Sequence, residues 1–281
     1  MASRVALPES KLKRRRRIRR TRLSIAFGVL LLILAATVVG ASWIPQLRIK
    51  HVSVRGLETL ASSTVAEFAT KKIDGRMLLV FPKDNILLYP KKEVERGLLK
   101  EFPALKDAVI HADNFEAITI NAAERHPKAL WCGESPVLSQ NCRLMDEGGF
   151  VYSPGLENAL SGLIRYTGAA TTTRLYTAQT EPLQYLTARE FAALEALVDA
   201  LGQNQKQTAI AMVDVDAHSD VRVIFENNFM LLFALKDAGS DVYERFTLAL
   251  ASGPFLNKTI NDFDYLDLRF GDKLYYRLKT Q

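Results

Sequence analysis

The feature that most constrains this chain is an uncharged, apolar segment near its N-terminus, residues 23–44. Its 22 residues are rich in Leu, Ile, Val and Ala. As a helix rising about 1.5 Å per residue it would be roughly 33 Å long, and the hydrocarbon core of a bilayer is about 30 Å thick. Trp43 suits the far membrane interface, and Pro45 is expected to end the helix. The pattern predicts a transmembrane helix over residues 23–45.

A basic run directly before this segment predicts the topology. Nine Lys or Arg residues occur within residues 11–22. Positive charge beside a spanning helix stays on the cytoplasmic side. We therefore expect residues 1–22 to be a cytoplasmic tail and the residues after Pro45 to lie across the plasma membrane. A basic run can also bind nucleic acid, but its position beside an apolar span favours topology and contact with anionic membrane lipid.

A cleaved signal peptide is the alternative to a permanent anchor. Val39, Gly40 and Ala41 loosely fit a small-residue cleavage site. The apolar region of a signal peptide is usually about 7–15 residues long, and this one is longer, which favours the uncleaved anchor.

The basic charge of the chain belongs to its tail. Residues 1–22 carry a net charge of +9 against +6 for the whole chain, which leaves −3 on residues 23–281. The large C-terminal part therefore has no electrostatic signature of a nucleic-acid partner.

Two cysteines, Cys132 and Cys142, lie on the expected outer side of the membrane. Nine residues separate them, including Gly133, Pro136 and Asn141, and such turn-rich spacing would let two adjacent strands bring the sulfurs together. An extracytoplasmic location permits a disulfide, so we predict one, with two inert buried thiols as the alternative. A zinc site would need more ligands than this region supplies.

The residues after the span predict an α+β fold in two domains, residues 46–123 and 124–281. In the first domain we expect strands at 49–54, 106–111 and 118–122 and helices at 64–72 and 91–102, in the order β-α-α-β-β. Ser62 or Ser63 is expected to cap the first of these helices.

The second domain is predicted to be β-rich with about two packed helices. Thr187 and Glu190 form a capping box, which begins a helix that runs to about Leu201. A further helix is expected at 241–251, and strands at 129–131, 144–145, 210–215, 221–225, 230–235, 265–269 and 273–278.

The sequence predicts no catalytic constellation, no cofactor and no metal site. It has no serine-nucleophile elbow, phosphate-binding loop or dinucleotide motif. None of the four histidines has metal-ligand spacing: His51, His111, His126 and His218. Asp214, Asp216 and Asp220 form the densest acidic cluster, which a solvated strand edge and turn explain better than acid–base chemistry.

Short strings along the chain, taken in order, resemble one known family. They are residues 49–56 (IKHVSVRG), 102–105 (FPAL), 124–131 (ERHPKALW), 144–146 (LMD), 149–152 (GFVY) and 265–270 (YLDLRF). With the basic tail and the single anchor, they are similar to the bacterial cell-division proteins FtsQ and DivIB over almost the whole chain. The resemblance implies that residues 46–123 are a POTRA-like domain and residues 124–281 the family's β-rich domain. The cysteine loop and residues 155–184 depart from the family pattern.

The resemblance implies a non-enzymatic scaffold at the division septum. Proteins of this family bind small single-pass coiled-coil proteins of the FtsB, FtsL or DivIC type, which add a strand to the last strand of the β-rich domain. Carried onto this sequence, the candidate partner-binding residues are Arg269, Phe270, Lys273, Leu274, Tyr275, Tyr276 and Arg277. Leu274 and Tyr276 would share one face of the strand and Tyr275 and Arg277 the other, so only one face is expected to meet a partner. Ordinary β-propensity would also explain both tyrosines.

Two functions of other classes are the alternatives. A POTRA-type component of protein transport or envelope assembly would be expected to carry repeated POTRA units or a C-terminal membrane barrel. A membrane-tethered hydrolase of the cell envelope would need a catalytic set. The residue patterns predict neither, which favours the division scaffold.

Overall fold

The computed structural model describes residues 11–78, 80–133, 142–154, 162–168, 183–204, 208–256 and 258–279. Over these residues the chain is an α+β protein with five α-helices and a large sheet, as the sequence predicts in outline. The chain divides into two compact units, Met1–Glu124 and Arg125–Gln281, here called the first and the second unit.

The first unit begins with helix α1 (Lys11–Ser42), which contains the apolar segment. Its part Arg19–Ser42 is 24 residues long and is, among the described residues, the one helix long and apolar enough to cross a membrane. The helix ends before Pro45 as expected, but at Ser42, three residues earlier than the predicted bound of 45, and Pro45 opens a short 3-10 turn. Ile44 is extended, as the residue before a proline prefers to be, so the helix has to end earlier.

A small sheet with two helices packed against it follows. Its elements are β1 (His51–Arg55), α2 (Ser62–Ile73), β2 (Arg76–Met77), β3 (Phe81–Pro82), α3 (Lys91–Glu101), β4 (Leu105–Ala112) and β5 (Ala117–Glu124). The sheet order is β1-β5-β4, with β1 parallel and β4 antiparallel to β5. The predicted helices and strands are present in their predicted order, and β2 and β3 add a separate hairpin between the two helices.

The core of the first unit comes from helical and strand periodicity. Val65, Ala69 and Ile73 recur along α2 and are buried, as are Val94 and Leu98 along α3. These side chains belong to one apolar cluster with the buried isoleucines of β4 and β5, Ile110, Ile118 and Ile120. Each helix therefore buries one apolar stripe on the sheet, which is what holds a small α+β unit together.

The loop between β1 and α2 differs from the prediction at the helix cap. Ala61 is the N-cap residue and no side chain caps the helix, since Ser62 and Ser63 already lie in its first turn. Gly56 begins the loop with φ +85°, and a Cβ at this position would collide with the carbonyl oxygen of Ala122 on β5. Only glycine accommodates both the left-handed backbone and this close approach.

The second unit is built on a ten-stranded sheet. Its elements are β6 (Ala129–Trp131), β7 (Arg143–Met145), β8 (Phe150–Pro154), β9 (Ile164–Gly168), β10 (Leu183–Gln184), α4 (Ala188–Asn204), β11 (Ile210–Val215), β12 (Asp220–Phe225), β13 (Met230–Ala234), α5 (Ser240–Ala251), β14 (Phe263–Phe270) and β15 (Lys273–Leu278). The strand order is β10-β8-β7-β6-β9-β11-β12-β13-β14-β15. The pairs β6–β9, β9–β11 and β13–β14 are parallel and the other pairs are antiparallel.

Residues 155–184, which match no motif, contain two strands of this sheet. β9 lies between β6 and β11, and β10 forms the far edge beside β8. Residues 155–161 and 169–182 of this stretch lie outside the described residues, as do residues 134–141 of the cysteine loop.

Helices α4 and α5 supply the other half of the second core. Phe191, Leu194 and Val198 of α4 and Phe246 of α5 are fully buried. They belong to one cluster with the inward side chains of β11 to β14, which include Val213, Val223, Leu231 and Leu266. The other face of these strands, here called the outer face, is therefore free to carry polar side chains.

Candidate functional site

The predicted partner-binding residues lie at one end of the ten-stranded sheet. β15 is the last strand in the sheet order, and β14 is its one partner among the described strands. The Lys279 N–H donates to the Asp262 carbonyl across this pair (2.9 Å). Because backbone groups point alternately to the two sides of a strand, the N–H groups of Tyr276 and Leu274 point away from β14. β15 is therefore an open edge with outward main-chain donors and acceptors.

Leu274 and Tyr276 lie on the inward face of β15. Leu274 packs against the core of the second unit. The ring of Tyr276 packs edge-on against Phe255 and Phe263, with centroid distances of 4.8 and 6.2 Å. These contacts fix the strand in place, so the two side chains support the edge from beneath.

Tyr275 and Phe270 form an exposed aromatic pair on the outer face. Their ring centroids are 5.1 Å apart in an edge-to-face arrangement. Tyr275 is 50% exposed and Phe270 is 53% exposed, which is unusual for two rings in contact on a sheet. Lys273 lies opposite Phe270 in the strand register and is also exposed. This pair gives the outer face exposed aromatic surface beside the open edge.

Arg277 and Arg269 place two fixed positive charges next to the aromatic pair. Arg277 donates to Asp264 (2.7 Å) and lies over the ring of Tyr265. Arg269 donates to both oxygens of Asp267 (2.9 and 2.6 Å) and to Asp220 (2.6 Å). These hydrogen bonds, first to Asp267 and then to Asp220, raise the pKa of Arg269 above its ordinary value. The guanidinium groups are therefore positioned rather than mobile.

A row of outer-face residues connects this edge to the middle of the sheet. In the strand register Asp214 lies opposite Arg222, Arg222 opposite Leu232, Leu232 opposite Asp267, and Asp267 opposite Tyr275. Arg222 donates to Asp214 through two nitrogens (2.9 and 2.5 Å). The aromatic edge therefore borders a face on which acidic and basic side chains are already paired.

The structure gives the acidic cluster, Asp214, Asp216 and Asp220, an environment that differs in part from the predicted one. Asp214 is only 2% exposed, so the expectation of a solvated strand edge is wrong for this residue. Its carboxylate accepts from the Thr167 hydroxyl (2.7 Å) as well as from Arg222. β9 covers Asp214 because β9 pairs with β11, and this pairing was not visible in the sequence. Asp216 does lie in a turn, where it accepts from the backbone N–H groups of His218 and Asp220 (2.8 and 3.0 Å).

Arg245 is a residue of the site that the sequence reasoning missed. From α5 it donates to the carbonyl of Leu268 (2.8 Å) and to the carbonyl of Gly271 in the β14–β15 turn. The hairpin that forms the open edge is thereby tied to the helix beneath it. From the sequence, an arginine in an amphipathic helix is expected to be solvated. No sequence signal therefore identifies Arg245 as the residue that ties the hairpin to α5.

Cys132 and Cys142 are joined by a disulfide near the β6–β7 pair. Both cysteines are buried with Leu130, and Leu144 and Leu163 pack against this small cluster. The bridge lies at strands far from β15 in the sheet order, so it stabilises the scaffold rather than the candidate edge.

The arrangement offers main-chain hydrogen bonding, exposed aromatic surface and fixed charges. Within the described part of the chain, no three His, Cys, Asp or Glu side chains are placed to hold a metal ion. A scan against protein-family models finds no match to this chain, and a search of the curated proteins finds none either. The fold and the edge define an α+β protein with one apolar N-terminal helix and an open, aromatic-bearing sheet edge.

Proposed function

We propose that this protein is a membrane-anchored scaffold of the bacterial division machinery, of the FtsQ and DivIB kind. The observation that carries the proposal is the open strand β15 with the exposed Phe270–Tyr275 pair beside it. The proposed partners are small single-pass proteins of the FtsB, FtsL or DivIC type, and their bound segment extends the sheet by one strand. The scaffold acts at the septum without catalysing a reaction.

Strand addition suits this edge for a physical reason. A long, open edge strand is a liability in a soluble protein, and natural sheets usually cover or interrupt it. Here it is six residues long, with Leu274 packed on the core, the half-exposed Tyr276 ring against Phe255 and Phe263, and its outward backbone groups available. A partner strand would gain main-chain hydrogen bonds, while Tyr275 and Phe270 would give it an aromatic surface to cover.

The first unit supports the same proposal. Apart from the β2–β3 hairpin, its elements follow the β-α-α-β-β order expected of a POTRA-like domain. In its sheet β1 is an edge strand beside β5. The proposed topology has the basic tail in the cytoplasm, α1 across the plasma membrane, and the rest of the first unit together with the second unit outside. Such an anchor confines the scaffold to the plane in which its single-pass partners diffuse, which raises their effective concentration.

Tyr275→Ala tests the proposal at the aromatic pair. Truncating an interface tyrosine is expected to weaken binding of the partner's extracytoplasmic segment by at least about tenfold. Phe115→Ala is the matched control, because Phe115 is an aromatic residue that is 65% exposed but lies between β4 and β5 of the first unit, in a different sheet from β15. Affinities are measured with the full-length protein in detergent.

Leu274→Pro tests the main-chain part of the same interface. Proline removes an outward N–H from β15 and also the core contact of Leu274, so binding should weaken and the thermal midpoint of the second unit should fall, while its disulfide and cooperative unfolding are retained. Leu274→Ala, which keeps the N–H, measures the part of the weakening that comes from lost packing. If folded Tyr275→Ala and Leu274→Pro proteins both bind at wild-type strength, the edge is not the interface. In cells, depletion should give filaments with unconstricted septa, and normal division would contradict the scaffold role.

A further inference from the structure

Exposed apolar side chains are concentrated in the segment that is hydrogen-bonded to the outer end of α1. They belong to the β2–β3 hairpin and the loop after it and include Met77, Leu78, Val80, Leu87 and Leu88, which are 36%, 78%, 43%, 71% and 36% exposed. Single exposed apolar residues are ordinary on a protein surface. Five within twelve residues form a patch, and a patch of this kind marks a surface that is covered by something.

Hydrogen bonds hold this segment against the end of the helix. The Trp43 indole N–H donates to the Val80 carbonyl (2.9 Å). The Asn85 side-chain amide donates to the carbonyl of Ser42, the last residue of α1 (2.9 Å). The oxygen of the same carboxamide accepts from the Leu87 N–H (2.9 Å), so Leu87 and the end of α1 are held by one side chain. Asn85 is 1% exposed, which makes this link an interior contact.

The length of the helix sets the depth of this link. The apolar part of α1, residues 23–42, rises roughly 30 Å, which matches the thickness of the hydrocarbon core. When α1 spans a bilayer, the Ser42 carbonyl therefore lies at the boundary between hydrocarbon and headgroups. Val80 and Leu87 are tied to the end of α1 by the bonds of Trp43 and Asn85, so a bilayer crossed by α1 would have its outer interface at the depth of these residues.

The polar groups around the patch suit headgroup depth. The Arg76 guanidinium lies over the Trp43 ring, 5.1 Å from its centroid. Arg48 forms an ion pair with Asp84 (2.5 Å) just after the helix end. Amphipathic aromatic and long basic side chains are the residues that mark the membrane–water interface.

Leu78 carries a second indication that the hairpin is shaped for a partner outside the protein. Its φ is +50°, a left-handed conformation that is unfavourable for leucine, and its side chain is 78% exposed. A strained residue persists where function maintains it, and here no burial within the unit compensates the strain.

We infer that residues 76–78 and 80–88 form a second, non-spanning membrane contact, with their exposed apolar side chains inserted into the outer leaflet of the bilayer that α1 crosses. The partner that covers the patch is the phospholipid interface of the bilayer. The contact rests on the anchor of the proposed function but not on its division partners. It fixes the first unit to the membrane surface at two points, the helix and the hairpin.

Depth-dependent quenching in proteoliposomes tests this inference on the full-length chain. Cysteines replace Leu78 or Leu87 and carry an environment-sensitive NBD label, while the native cysteines are protected by their disulfide. Val38→Cys, within α1, reports insertion of the anchor. Ala61→Cys is the matched negative control, because it is exposed and follows the far end of β1, a strand about 16 Å long.

Nitroxide-labelled lipids with the spin label near the headgroup should quench the labels at 78 and 87 about twofold, since apolar side chains in the interface lie at that depth. The label at 61 should be unchanged. If the labels at 78 and 87 behave like the label at 61 while the label at 38 is quenched, the anchor spans the bilayer but the hairpin does not insert, and the inference is overturned. If 38 is not quenched either, α1 does not span and the inference fails with the anchor. Partner binding plays no part in these readings, so they separate this contact from the proposed interface.

Discussion

Glu124→Ala is expected to destabilise the first unit by loosening the loop between β1 and α2. Glu124 ends β5 and is 8% exposed. Its carboxylate accepts from the backbone N–H groups of Glu58, Thr59 and Leu60 (2.9, 3.0 and 2.9 Å) and from the Thr59 hydroxyl. One side chain therefore satisfies three backbone donors and one hydroxyl of the loop that leads into α2.

The size of the effect follows from these bonds. A hydrogen bond to a charged group contributes about 1.5–3 kcal/mol when it is shielded from water. Glu58 and Thr59 are exposed, so water restores part of the lost bonding in the variant. With about 1 kcal/mol for each backbone bond, we expect a loss of about 3 kcal/mol. That is a large part of the roughly 5–15 kcal/mol by which a domain is stable.

Hydrogen exchange of the full-length protein, read on peptides covering residues 57–73, measures this loss within the first unit. Protection should fall by about a hundredfold, since each 1.4 kcal/mol is a factor of ten. Glu116→Ala is the matched control, because Glu116 pairs with Lys50 (2.5 Å) but both side chains are partly exposed, at 39% and 51%. An exposed pair should contribute less than about 1 kcal/mol. Equal effects of the two variants would refute the reasoning.

The charge of Glu124 adds a pH dependence of known sign. Burial raises the pKa of the carboxyl, but the Thr59 hydroxyl and the backbone N–H groups of residues 58–60 outweigh it, and the pKa lies below its ordinary value of 4.5. A lowered folded-state pKa contributes stability that is present above pH 4.5 and is lost as the pH falls below it. Thermal unfolding of Glu124→Gln should lack this part of the acid destabilisation seen in the wild type.

Three further variants test the second unit by thermal or denaturant unfolding. Gly168→Ala should cost about 3 kcal/mol or more, because Gly168 has φ +111° and a Cβ there would collide with the Val215 carbonyl. Gly202→Ala, in α4 with open space around it, should instead stabilise by about 1 kcal/mol, and the two effects must differ in sign. Replacing Cys132 and Cys142 together by serine should remove about 3 kcal/mol, the entropy of closing a short loop, and an unchanged midpoint would exclude a stabilising role of the bridge.

Local patterns predicted local structure well. The capping box forms as expected, with the Thr187 N–H bonded to Glu190 (3.1 Å) and the Glu190 N–H to Thr187 (3.3 Å). β11 and β15 have the predicted bounds, and Gly271 adopts the positive φ of the predicted turn. These features depend on residues within a few positions of each other, so their physics is contained in the sequence string.

Features that depend on pairing between segments distant along the chain were not predicted from the sequence. β9 is short and pairs with β6 and β11, strands far away along the chain, so its neighbours rather than its own residues make it a strand. The same pairing buries Asp214, which alternation alone placed at a solvated edge. The bracing of the β14–β15 turn by Arg245 likewise needs a helix and a hairpin to meet.

The apolar segment near the N-terminus is the feature that the sequence by itself determined: its length, its lack of charge and its basic flank are one-dimensional properties. What the tertiary structure decided is how that segment is used. Only the folded chain shows that Asn85 and Trp43 tie the β2–β3 hairpin to the end of α1, and that β15 is left as an open edge. Both depend on which distant backbone groups find partners, and that is settled when the whole chain folds.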